Sequence, residues 1–150
     1  MPLIRYILCL VLAATALTSY ADVATAKKLA DKYAAAAKVV DPGYGGLSAA
    51  AGKVFFNRQL IRFKGNNPGK PVACASCHTS NPADPGLHIV TNRPIKPLSP
   101  AINPKRFSSI KNVEIKFTKH CNEVVGSDCS LQEKGNYIAY LLTETTPTKK

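Results

Sequence analysis

The run Val72-Ala73-Cys74-Ala75-Ser76-Cys77-His78 constrains this chain more than any other feature. Two thiols three positions apart can each add across one vinyl group of the same porphyrin. The imidazole directly after the second thiol is then placed under the ring, where it can ligate iron. Cys-x-x-Cys-His is therefore read as the attachment sequence for one covalent haem c, bound through Cys74 and Cys77 with His78 as proximal ligand. Three other readings compete with it. A thioredoxin-type redox pair sits between a strand and a helix, and no βαβ pattern exists here. A zinc site needs a fourth ligand, for which Cys121, Cys129, His88 and His120 are the remaining candidates. A disulfide between Cys74 and Cys77 would be sterically tight.

The N-terminus fits an exported protein. Arg5 precedes an apolar run from Tyr6 to Leu17, and Ser19 and Ala21 supply small residues at −3 and −1 of a cut after Ala21. That pattern predicts a signal peptide over residues 1–21, a soluble periplasmic domain over 22–150, and no membrane anchor once the signal is removed. The apolar run is too short to span a bilayer. Of the five Cys, only Cys9 falls in the signal, leaving an even number suited to an oxidising compartment. Met1 is the only Met, so the mature chain has none.

The rest of the sequence reads as all-α. Leu29, Tyr33 and Ala37 repeat at helical spacing between Asp22 and Val39, and Asp41-Pro42-Gly43 stops that helix. Ser48 can cap a second helix carrying Val54, Phe55, Leu60 and Phe63, ending near residues 65–69. Pro82, Pro85, Pro94, Pro97, Pro100 and Pro104 then forbid a long helix or a central strand. A loop of this length inside a small domain usually wraps something. Ser108 or Ser109 can cap a helix with Val113, Phe117, Cys121, Val124 and Val125 on its apolar side. Ser130 and Glu133 form a capping box for a last helix with Tyr137, Ile138, Leu141 and Leu142.

With no Met in the mature chain, His/Met ligation of the iron is excluded. The distal candidates are His120, His88 or an open site. His120 lies on the apolar side of the predicted helix, between Phe117 and Val124, and is favoured. His88 lies in a loop ten residues past His78 and reads as a surface residue. Cys121 and Cys129 default to a disulfide in an exported protein, either as plain stapling or as a lever beside the iron. The haem propionates need cationic or hydrogen-bonding partners, and Arg93, Lys96, Lys105 and Arg106 are the candidates, the two arginines first.

These residues together resemble the cytochrome c″ family and, more widely, the SHP-type monohaem cytochromes. The resemblance rests on Phe55-Phe56-Asn57-Arg58, on Ala73 to Thr79, on Pro97-Leu98-Ser99-Pro100 and on Pro104-Lys105-Arg106-Phe107. It continues through Lys119-His120-Cys121-Asn122, Asp128-Cys129 and the segment from Glu133 to Glu144. SHP-type proteins carry Asn where this chain has His120. The resemblance implies a class I cytochrome c-like fold with an added N-terminal helix, a Cys121–Cys129 disulfide, and iron held by His78 and His120. It also implies that His120 is lost on reduction with uptake of a proton.

The leading expectation is an electron-transfer protein rather than an enzyme. Binding of small gases such as O2 or NO is the alternative, and a reductase or peroxidase ranks last, since Glu123 is the only acid close to His120. The formal charge of +11, to which the signal contributes only Arg5, suggests an acidic redox partner protein and not nucleic acid.

Overall fold

A computed structural model describes residues 3–60 and 70–149, with side chains described from Asp22 onward. Helix α1 spans Leu3–Val40. Ala26, Leu29, Ala30, Tyr33 and Ala37 form one buried stripe along it, the spacing that an amphipathic helix requires. The chain leaves α1 through a turn in which Asp41 Oδ1 accepts the Gly43 N–H at 2.9 Å.

Helix α2 (Ala49–Asn57) starts at Ser48, whose side chain accepts the Ala51 N–H at 3.1 Å. Gly52 lets α2 lie directly on the last helix, because a Cβ there would run into the Asn136 carbonyl. The expected helix through Leu60 is shorter than its apolar pattern suggests. Leu60 and Val72 exchange both backbone hydrogen bonds at 2.9 Å, so a long-range bridge draws the chain out of the helix and back to the Cys-x-x-Cys-His segment. Phe63 and the expected stop at residues 65–69 lie outside the described residues.

The short helix α3 (Cys74–His78) is followed by the Pro-rich loop. That loop contains one antiparallel ladder, β1 (Gly86–Leu87) with β2 (Pro94–Ile95), where Pro94 is tolerated because a two-stranded ladder has only edges. The loop closes against α1. Asp22 is 3% exposed, and its Oδ2 accepts the Phe107 N–H at 2.8 Å across 85 residues.

Helix α4 (Ile110–His120) is capped by Ser109, which accepts the Asn112 N–H at 3.3 Å. The sequence pattern carries it on to Val125; the structure instead widens after His120 into a π-helical turn, Cys121–Val125. Gly126, with φ of 88°, ends that turn by donating its N–H to the Cys121 carbonyl at 3.0 Å. Helix α5 (Leu131–Thr143) opens with the expected capping box, in which Ser130 and Glu133 bond each other's backbone N–H at 3.1 and 2.9 Å. Helices α1 and α2 both pack on α5, and Phe56, Phe117, Ile138, Tyr140 and Leu141 lie in the resulting core. Among the described residues no helix is long and apolar enough to cross a membrane.

Candidate haem site

Helix α3 is one turn held by its own small residues. Ser76 Oγ accepts the Ala73 N–H at 3.0 Å, and the Ser76 N–H returns to the Ala73 carbonyl at 3.1 Å. The turn stops at Thr79, a non-glycine residue at φ of 61°, whose Oγ1 donates to the Asn81 carbonyl at 2.8 Å. Gly86 lies hard against it, since a Cβ there would collide with the Cys77 carbonyl. Cys74 and Cys77 occupy positions i and i+3, which share one side of a helix. Both are free thiols and both are part-buried. Burial pushes the Cys74 thiol up to about 11.

Desolvation lowers the His78 imidazole to about 4, and the charges of Arg106, His120 and His88 push it the same way. His78 is therefore neutral at ordinary pH, the form in which an imidazole nitrogen can ligate a metal. The Arg106 guanidinium is also desolvated, and its charge acts on both His78 and the hydroxyl of Tyr137. Arg93 lies exposed at the ladder turn, where its carbonyl accepts the His88 N–H at 2.9 Å. Lys96 and Lys105 are exposed as well.

The two candidate distal histidines differ in commitment. His88 Nδ1 accepts the N–H groups of Val90 and Thr91, both at 3.2 Å, so its ring serves the turn. His120 is the last residue of α4, and its side chain is 51% exposed instead of lying among apolar neighbours. Its Nδ1 lies 3.2 Å from Glu123 Oε2, three residues on. Partial burial lowers the imidazole, and the Glu123 carboxylate opposes that shift. The next residue, Cys121, is disulfide-bonded to Cys129 with Cα atoms 5.6 Å apart.

This arrangement fits a covalently held haem. Two unpaired thiols share one helical turn, a neutral imidazole follows them, and a second imidazole is near enough for its charge to be felt at the first. Among the described residues no group of three or more His, Cys, Asp or Glu side chains is assembled to hold a bare metal ion. The zinc reading therefore loses its ligand set. Sequence reasoning passed over the Asp22 carboxylate and the Lys134–Asp128 pair, whose roles depend on contacts between separate elements.

Residues 42–141 match a family model described as Domain of unknown function (DUF1924). The chain is 55% identical over 129 residues to cytochrome c″ of Methylophilus methylotrophus, covering 86% of this chain and 87% of that protein. It is 33% identical over 138 residues to cytochrome c-type protein SHP of Cereibacter sphaeroides, covering 92% and 96%. The crystal structure of oxidised cytochrome c″ superposes with a TM-score of 0.77 at 52% identity, covering 84% of this chain and 99% of that one. The solution structure of the same cytochrome, a study of haem-ligand detachment, gives 0.75 at 53% identity over 85% and 99%. Oxidised SHP, an oxygen-binding cytochrome c, gives 0.66 at 29% identity over 79% and 96%. Frame, site and relatives together define a haem cytochrome. The chain belongs to the cytochrome c″ family.

Proposed function

We propose that this protein is a periplasmic electron carrier whose distal ligand, His120, leaves on reduction and takes up a proton. One haem c, bound through Cys74 and Cys77, supplies the one-electron couple. His78 provides a neutral proximal imidazole, and Arg106, the more enclosed of the two arginines, pairs with a propionate. The observation that carries the reading is the placement of His120: half-exposed, at the last position of α4, next to an anchored disulfide and 3.2 Å from a carboxylate. An imidazole so placed is tethered yet free to turn, and Glu123 offers its cationic form a partner. Similarity to a cytochrome studied for haem-ligand detachment supports the same conclusion.

Export through residues 1–21 follows from the signal pattern. The acidic redox partner docks on the outer face of α4, where Lys111, Lys116 and Lys119 surround Ile115, itself 54% exposed. A basic ring around an apolar centre steers and then desolvates an acidic surface.

Visible absorption of the haem-loaded protein, oxidised and then reduced with dithionite across about pH 5 to 9, tests the reading in the range where histidine titrates. The wild type should pass from low-spin to high-spin on reduction. His120→Ala should be high-spin when oxidised, and His88→Ala should match wild type. A spectrum that is low-spin in both redox states would refute ligand release. The likeness to SHP supports a second reading, in which the reduced protein binds O2 or NO where His120 has withdrawn. Spectral shifts on adding either gas at micromolar levels would favour it.

A further inference from the structure

Lys134 is a buried cation in a place that does not favour one. It lies in the first turn of α5, where the helix dipole opposes positive charge, and its side chain is only 8% exposed. Lysine is rarely buried unless paired. Here the ammonium donates to Asp128 Oδ2 at 3.0 Å and sits 5.9 Å from the centre of the Phe117 ring. These two contacts straddle the disulfide-bonded loop. Phe117 lies one helical turn before His120 and packs edge-on against Tyr137 of α5, with centroids 5.3 Å apart. Asp128 directly precedes Cys129, and its Oδ1 accepts the Cys129 N–H at 2.9 Å. One side chain of α5 thus touches both ends of the segment that carries His120 and its disulfide.

We propose that Lys134 and Asp128 form a latch that fixes the 121–129 loop on α5 and so positions His120 for ligation. The disulfide alone ties the loop to itself; the ion pair ties it to the body of the protein. Lys134 is a positioning residue in this scheme and touches no ligand. The proposal rests on His120 being the distal ligand.

The two partners are unequal, and that inequality gives the test. Asp128 is 54% exposed and can be hydrated when left alone, whereas Lys134 cannot. Removing the carboxylate therefore strands a buried ammonium, while Lys134→Met leaves a solvated carboxylate. Amide hydrogen exchange at Gly126 and Cys129, measured on the haem-loaded oxidised protein, should speed up about tenfold in Lys134→Met and further in Asp128→Asn. The double variant should behave like Lys134→Met, because the stranded charge is gone. The low-spin fraction should fall in the same order, and Asp128→Glu, which keeps the carboxylate, should restore both readouts. Unchanged exchange in Asp128→Asn, or a double variant showing the product of the single effects, would overturn the latch. So would altered exchange with an unaltered low-spin fraction. If His120→Ala stays low-spin, the ligand assignment falls, and the exchange data still report on the latch.

Discussion

His120 Nδ1 and Glu123 Oε2 lie 3.2 Å apart, on either side of the point where α4 widens into its π-helical turn. A carboxylate at Nδ1 fixes the tautomer and leaves Nε2 unprotonated, an arrangement common among histidines that ligate metals. π-Helical turns within helices often occur at functional sites. Lys119 Nζ, 3.9 Å from the other Glu123 oxygen, draws on the same carboxylate.

Glu123→Gln should make the released imidazole less basic. Burial lowers the His120 value and Glu123 raises it, so losing the carboxylate leaves burial less opposed. The pH at which reduction ceases to be coupled to proton uptake should move down. Both side chains are more than a third exposed, so solvent and salt screen the pair and the displacement is small. Reduction midpoints recorded against pH for wild type and variant will show the displacement; a displacement upward would contradict the pairing.

Arg106 and Arg93 should separate in their effect on the haem. The Arg106 guanidinium is desolvated and bears on His78 and Tyr137, whereas Arg93 is exposed. Removing an enclosed positive charge near the iron favours the oxidised form by on the order of 1 kcal/mol, or tens of millivolts. Arg106→Gln should lower the midpoint potential accordingly and Arg93→Gln should barely change it. Equal shifts would place the two residues in equivalent surroundings and contradict the structure.

Gly86→Ala should impair maturation before it impairs anything else. The new methyl group collides with the Cys77 carbonyl and must push α3 or β1 aside, at a cost of about 1–3 kcal/mol. Covalent haem per mole of secreted protein, determined by pyridine haemochrome, should fall. Gly45→Ala meets no atom within 4 Å and serves as the control.

Opening the disulfide should cost the stabilisation of a short closed loop. Cys121 and Cys129 are eight residues apart, and closing such a loop contributes roughly 2–3 kcal/mol in the chain-entropy model. For a chain of this size that corresponds to a fall in Tm of about 5–10 °C, measurable by calorimetry on the Cys121→Ser/Cys129→Ser protein. An unchanged Tm would mean that the latch and the π-helical turn hold the loop unaided.

Local chemistry was the legible part of this molecule. The Ser130–Glu133 capping box, the Ser109 cap and the buried stripe of α1 all follow from residues within a few positions of each other. Sequence stopped being a guide where distant partners decided the outcome. Leu60 has the right spacing to extend α2, yet pairing with Val72 wins. Val124 and Val125 have the right spacing to extend α4, yet the chain widens and Gly126 ends it. The site divides the same way: Cys74, Cys77 and His78 announce themselves, while Asp22, Lys134 and Tyr137 look like ordinary helix residues until the elements around them are in place.

The hydrogen bond from the Phe107 N–H to Asp22 closes a circuit of backbone that contains Cys74 and Cys77. Asp22 precedes both thiols in the chain and Phe107 follows them, so the contact that shuts the circuit cannot form until the Pro-rich segment between is in place. One buried carboxylate thus joins the two ends of an 85-residue stretch without a covalent bond.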